Sequence, residues 1–259
     1  MMWKLALIAA ALAAPAAAHD FWLEPSNFNP AAGETATVSL YVGHGEDVAD
    51  WRVPAERVTD LKLITDDGAA DLSPALLPVS EGLKIAVPGT GTAAMIALAS
   101  SPSRSELEGE RFQDYIVKEG IQPIIAHRAR TASEALPGVE RYSRRSKAIL
   151  NGTAGVNEFL LRPVGHTLEI VPIANPAFGD EVPFRVYWQG QPLENALVKL
   201  HEIGGSRTFA AIPTDARGIV TLPIPETGTF RLATIWGTAE FEAPDAVYDS
   251  IFATLTFAR

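Results

Sequence analysis

The run Val182-Pro183-Phe184-Arg185-Val186-Tyr187-Trp188 alternates apolar and other side chains, and it opens the most regular part of the sequence. Further strand-like runs follow at 196–202, 207–212, 219–222, 229–235 and 250–257. Turn-forming clusters separate them: Gln189-Gly190-Gln191-Pro192, Gly204-Gly205, Thr214-Asp215-Ala216-Arg217-Gly218 and Pro225-Glu226-Thr227-Gly228. Short strands at this spacing predict a small Greek-key sandwich. In the 214–218 turn, Asp215 is placed to bond backbone N–H groups and Gly218 to take a positive φ.

Upstream, Asn175-Pro176-Ala177-Phe178-Gly179-Asp180 reads as an interdomain linker. Before it, strands are predicted at 35–42, 61–65, 82–87 and 93–99, with another beginning at Gly165-His166-Thr167-Leu168-Glu169. These form a meander, the signature of a second sandwich. Residues 106–119 break the pattern, because Leu107, Phe112, Tyr115 and Ile116 recur at helical spacing and Gly120 can end a helix. A second short helix is predicted within 121–135, interrupted near Pro123. The expected fold class is all-β: two immunoglobulin-like or Greek-key β-sandwich domains, the first with a small helical insertion at about 105–135. The expected boundaries are a signal peptide at 1–18, an N-terminal sandwich at 19–176 and a C-terminal sandwich at 177–259.

The leader assignment rests on Lys4, an apolar run at 5–14 and Ala16-Ala17-Ala18 as a small-x-small cleavage site. The expectation is a periplasmic protein, secreted by a cleaved signal peptide, without direct membrane insertion. The 21 Lys and Arg against 31 Asp and Glu give a formal charge of -10, which argues against a nucleic-acid partner. With no cysteine, thiolate metal sites, cysteine nucleophiles and disulfides are excluded. No HExxH, nucleophile elbow or nucleotide-binding glycine loop is present, so no enzyme is expected.

Cleavage after Ala18 would place His19 at the mature N-terminus, where the α-amine and ring Nδ1 can chelate one cation. Imidazole suits nickel, copper and zinc. The candidate metal ligands are therefore His19, His166 in its Gly-His-x-Leu-Glu segment, His44 in a glycine loop, and Glu24, close to His19 in sequence. His201 and His127 are further imidazoles at a strand end and in the helical insertion. The run Glu140-Arg141-Tyr142-Ser143-Arg144-Arg145-Ser146-Lys147 raises a separate question. It could contact an anion, although such runs are more often solvated strand faces pairing with carboxylates.

Several of these pieces, in this order, resemble the bacterial periplasmic DUF4198 family, often labelled a nickel or cobalt uptake transporter family. They are Ala18-His19-Asp20-Phe21-Trp22-Leu23-Glu24-Pro25, Tyr142-Ser143-Arg144 with Lys147, and Gly165-His166-Thr167-Leu168-Glu169 with Asn175-Pro176. The C-terminal matches are Gly190-Gln191-Pro192-Leu193-Glu194-Asn195, Thr214-Asp215-Ala216-Arg217-Gly218 and Ala253-Thr254-Leu255-Thr256-Phe257. The C-terminal half also resembles a carboxypeptidase-regulatory or collagen-adhesin B-type sandwich. The stretch 232–237 lacks the histidine that relatives carry near a strand end. The resemblance implies a divalent transition metal (nickel, cobalt or copper) as cofactor and a membrane metal transporter as partner. The main reading is thus a periplasmic protein for metal binding and delivery, centred on His19. The alternative is a non-catalytic structural or protein-interaction module of two sandwiches. A third reading, a copper-dependent oxidative enzyme, is similar only in having a histidine terminus on a β-sandwich.

Overall fold

The computed structural model describes residues 20–44, 47–80, 82–155, 157–239 and 245–259. In the first half the strands are β1 (Asp20–Pro25), β2 (Thr35–His44), β3 (Asp47–Asp50), β4 (Val58–Thr65), β5 (Gly68–Asp71), β6 (Leu76–Val79), β7 (Gly82–Pro88), β8 (Ala94–Ser100) and β9 (Ser103–Leu107). Two helices follow, α1 (Gly109–Lys118) and α2 (Gln122–Thr131), and then the long strand β10 (Gly138–Leu150). The second half holds β11 (Leu168–Pro172), β12 (Glu181–Trp188), β13 (Gln191–Pro192), β14 (Leu197–Glu202), β15 (Thr208–Pro213), β16 (Ile219–Pro223), β17 (Thr229–Thr238) and β18 (Tyr248–Ala258).

A nine-stranded sheet runs through the molecule in the order β15-β14-β17-β18-β10-β8-β4-β5, with β9 also on β10. Its two halves join where β10 and β18 pair in parallel, Glu140 opposite Tyr248 through Ala148 opposite Thr256. Alternation along β18 explains what covers each face. Ile251, Ala253, Leu255 and Phe257 enter a core with Phe184, Val186 and Ile170 of the four-stranded sheet built on β11 and β12. On the other face, Ala148 and Leu150 of β10 pack with Phe21, Leu23, Val38 and Leu40 of the five-stranded sheet β1-β2-β7-β6, in which β3 pairs β2. The result is two β-sandwiches sharing one central sheet. Strands covered on both faces should be apolar throughout, and every residue of β8 is buried.

Strand β1 lies at an edge of the five-stranded sheet, so half of its backbone groups face away from β2. They are satisfied by hydroxyls rising from the central sheet. Thr254 Oγ1 donates to the Phe21 carbonyl at 2.8 Å, and Thr256 Oγ1 to the Leu23 carbonyl at 2.8 Å. The Leu23 N–H donates to Ser146 Oγ at 3.2 Å, and Ser146 Oγ lies 2.8 Å from Thr254 Oγ1. This accounts for three buried hydroxyl side chains on the face of the central sheet that β1 covers.

The helical pair covers the central sheet beside β1. Phe112, Ile116, Ile121 and Ile124 pack on Ile235, Tyr248 and Phe252. Gly138 is required there, since a Cβ would lie 2.0 Å from Phe112 Cγ. Both helices begin and end inside the predicted spans, because 103–107 pairs with β10 as a strand before the first turn forms. The 214–218 turn forms as expected: Asp215 Oδ1 accepts the Arg217 and Ile219 N–H groups at 2.8 Å each, and Gly218 has φ +71°. The basic run differs from the solvated face that such runs usually form. It is a central strand, and Arg144, Ser146 and Lys147 are buried.

Thr254→Val keeps the side-chain shape but strands the Phe21 carbonyl and the Ser146 hydroxyl. It is expected to lower unfolding stability by about 1–3 kcal/mol, read as a shift of the urea midpoint. Thr221→Val, at an exposed position of β16, should change it by less than about 0.5 kcal/mol.

Candidate functional site

Strand β1 delivers Asp20, its first residue, to the meeting point of both sandwiches and the helical pair. Asp20 is buried, and its carboxylate accepts a hydrogen bond from Arg231 Nη2 of β17 at 2.9 Å. The Arg231 guanidinium lies over the Trp22 ring, 4.1 Å from its centroid, where a cation gains from the ring quadrupole. Trp22 Nε1 donates to Glu24 at 2.8 Å. Beside this pair, Lys199 Nζ of β14 reaches Glu119 Oε2 at the end of α1, at 2.6 Å. Together these groups floor a recess of about 330 Å³ whose walls include Val48, Leu197, Ala211 and the loop at 203–207.

Two histidines flank Asp20. His44 Nδ1 and His201 Nε2 each stand 3.8 Å from Asp20 Oδ2. His201 Nδ1 lies 3.0 Å from Thr208 Oγ1. Burial, followed by the charge of Arg231, pulls His201 down to about 4, against an opposing pull from Asp20. The ring is therefore neutral at pH 7. The order Asp20, His201, Thr208 has the outline of an acid–histidine–hydroxyl relay. However, 3.8 Å exceeds a hydrogen bond, Asp20 is held by Arg231, and a histidine at about 4 is a weak base at neutral pH.

The predicted metal ligands do not assemble. His19 lies outside the described residues. His44 lines the recess, while Glu24 is engaged by the Trp22 indole. His166 is elsewhere: it is buried in the turn before β11, where burial and then Lys147, Arg145 and Lys62 push its ring down to about 3. A site facing three cations repels a fourth. Among the described residues, no group of three or more His, Cys, Asp or Glu side chains is placed to hold a metal ion. This corrects the expectation of a transition-metal site, and with it the nickel, cobalt or copper cofactor and the metal-delivery function. The physical reason is that the acids such a site needs are committed to protein donors, Asp20 to Arg231 and Glu24 to Trp22.

The sequence reading missed Asp20, Arg231, Lys199 and Glu119. A signal for Arg231 was present, since it interrupts Phe230 and Leu232, which enter the same core, and so must face the other side of the sheet. Nothing local pairs it with Asp20, 211 residues away.

Two further buried charges belong to the central sheet. Lys147 Nζ pairs with Glu169 Oε1 at 2.7 Å, both almost fully buried. Glu169 also accepts the backbone N–H groups of Val164, Gly165 and His166 at 2.7, 3.0 and 3.2 Å, which explains the Gly-His-x-Leu-Glu segment as a structural loop clamp. Glu140 lies beneath the helical pair and accepts Ser250 Oγ at 2.8 Å. Burial pushes its carboxyl up to about 7.

Comparison with known families matches residues 16–238 to a domain of unknown function, DUF4198. The chain belongs to that family, whose description names no metal and no transporter. No curated protein matches it in sequence. Among solved structures, the human OSCAR ligand-binding domain is 14% identical over 92% of this chain and 97% of that one, with a TM-score of 0.22. The BSP domain of a biofilm associated protein is 8% identical over 91% of this chain and 29% of that one, at 0.21. Dimeric latent PorU from Porphyromonas gingivalis is 10% identical over 91% and 20%, at 0.20. At such scores none of them carries a ligand or partner over to this chain. Among the described residues, no helix is long and apolar enough to cross a membrane, which says nothing of a β-barrel.

The buried acid sets a pH dependence. Between the ordinary glutamate value of 4.5 and about 7 the folded chain holds a proton at Glu140 that the unfolded chain releases. Its contribution is therefore fully present below 4.5 and declines as pH rises towards 7, a loss on the order of 3 kcal/mol. Glu140→Gln should flatten that decline in urea unfolding followed from pH 4.5 to 8. An unchanged slope in the variant would assign the decline to another group.

Proposed function

We propose that the chain is a non-catalytic interaction module, exported through the leader read at 1–18, and that a protein partner seats in the recess at Asp20 and Arg231. The observation that carries this reading is the floor of the recess. Its acids and bases are matched in place, Asp20 with Arg231 and Glu119 with Lys199. Matched pairs give fixed donors and acceptors that orient a partner, and they leave no strong base poised at neutral pH. The walls add apolar surface at Val48, Leu197 and Ala211. Apolar walls with a few placed polar groups are the usual composition of a binding pocket. Position supports the reading too, because one bound segment would touch both sandwiches and the end of α1 at once.

A photo-crosslinking residue at Val48, on the exposed rim, tests this in cells that express the full chain. The expected result is a discrete adduct at Val48, weakened by Ala211→Asp, with none from the same residue at Asp67, an exposed turn position. Equal labelling at both positions, or none above background at Val48, would remove the recess from the reading.

A further inference from the structure

The helical pair closes over a buried acid. Glu140 on β10 is 2% exposed, and Ser250 Oγ of β18 donates to its Oε2 at 2.8 Å. The buried Tyr115 hydroxyl of α1 approaches both, outside normal hydrogen-bond geometry. Asp249 of β18 opposes ionisation of the carboxyl and Arg144 of β10 favours it, each less than burial acts. From β9, Ser105 stands opposite Glu140 in the strand register, and the neighbouring Arg104 and Glu106 pair with each other. From α2, His127 meets the Tyr248 ring edge-on at 5.7 Å. Arg128, also on α2, lies over Phe112 and donates to Gln113 and to the Glu134 and Leu136 carbonyls. Burial is therefore the largest influence on Glu140, and it favours the neutral acid.

The cover above this acid is separable from the rest of the fold. Among the described residues no backbone ladder joins α1 or α2 to the central sheet. Phe112, Ile116, Ile121 and Ile124 form a cluster with Ile235, Tyr248 and Phe252 that is distinct from the cores of the two sandwiches. Elements held by side-chain packing can open while the strand ladders stay paired. The same cover reaches the recess at Asp20. One turn beyond Tyr115, Glu119 donates its N–H to the Tyr115 carbonyl at 2.9 Å and accepts Lys199 Nζ at 2.6 Å on the recess floor. The charge of Glu119 in turn bears on the Tyr115 hydroxyl.

We infer that the helical pair is a pH-sensitive cover: ionisation of Glu140 lifts α1 and α2 from the central sheet, and Glu119 then leaves Lys199. An ionised carboxylate under the closed cover lacks water, and the hydroxyls of Ser250 and Tyr115 with the attraction of Arg144 replace it only in part. Lifting the cover restores water without breaking either sandwich core. Below 4.5 Glu140 is protonated with the cover open or closed, so the cover stays shut. Between 4.5 and about 7 only the closed form keeps the proton, so opening grows with pH, by more than about a hundredfold in total. Above about 7 both forms are ionised and the rise stops. Release of Glu119 leaves Lys199 unmatched on the recess floor, so a partner seats there best at acid pH. That last step rests on the proposed function, whereas the opening itself does not.

Hydrogen exchange read by mass spectrometry tests the cover on the full chain from about pH 4.5 to 8, with rates corrected for the intrinsic pH dependence of exchange. Peptides within α1 and α2 are expected to lose protection as pH rises towards 7 and to level off above it, while peptides within β8 stay protected throughout. Glu140→Gln, a neutral stand-in for the acid, should keep both helices protected at every pH. Ser250→Ala removes a donor to the carboxylate, so it should move the levelling-off to higher pH, and it carries the test if E140Q does not fold. An equal pH slope in E140Q, or loss of protection in β8 together with the helices, would overturn the inference. Crosslinking from Val48 in lysates at about pH 5.5 and 7.5 reads the coupling to the recess. A stronger adduct at the lower pH in the wild type, with equal adducts in E140Q, supports it, and equal adducts in both chains remove it. Absence of any adduct removes the partner and the coupling together, while the exchange result still decides the cover.

Discussion

The parallel pairing of β10 with β18 is the constraint on which the rest of the molecule depends. Parallel neighbours need a long crossover, and here 97 residues separate Leu150 from Tyr248 in sequence. The second sandwich is built from that intervening chain. Once β18 returns beside β10, the sheets of both halves become one, and the two smaller sheets must cover opposite faces of it. Among the described residues, the two halves are therefore joined by the backbone pairing of β10 with β18. Segment 175–180 is a turn between β11 and β12, strands that pair with each other, rather than a tether between separate bodies.

Strand β1 turns that scaffold into a site. Its inner edge pairs with β2, and its outer edge rests on the hydroxyls of Ser146, Thr254 and Thr256. These bonds are directional, so they fix where β1 starts as well as where it lies. Asp20 is thereby delivered to Arg231 with little freedom, and the aromatic side chains of Phe21 and Trp22 anchor opposite faces of the strand. Phe21 packs edge-on against Trp51, and Trp22 lies under Arg231. The floor of the recess is thus held from both faces of β1, by Trp51 on one side and Arg231 on the other.

Much of this fold was legible because strand periodicity and turn chemistry are local properties. The 214–218 turn, the alternation in 182–188 and the helical spacing of Phe112, Tyr115 and Ile116 each report on neighbours a few residues away. The sites were less legible because charge pairing is not local. Lys147 and Glu169, 22 residues apart, and Asp20 and Arg231, 211 apart, reveal their partners only in three dimensions. The histidines misled for the same reason. An imidazole is a plausible ligand in any sequence, but whether it can accept a cation depends on the charges that the fold packs around it. For His166 these are three cations, and for His201 the strongest charge effect is that of Arg231.

The basic run illustrates how burial reverses such a reading. On a solvated strand its charges would be worth little and would bind weakly, because water and salt screen them. Placed in a central strand, each charge must be matched or the fold bears the cost. Lys147 is matched by Glu169 and Arg145 by backbone carbonyls. Arg144, 8% exposed, has four aromatic faces around it, the Tyr142 side chain as a hydrogen-bond partner and the attraction of Glu140. Its charge is thus offset by aromatic faces, a phenol and a nearby carboxyl group rather than by one dedicated ion pair, and all of these come from the fold itself.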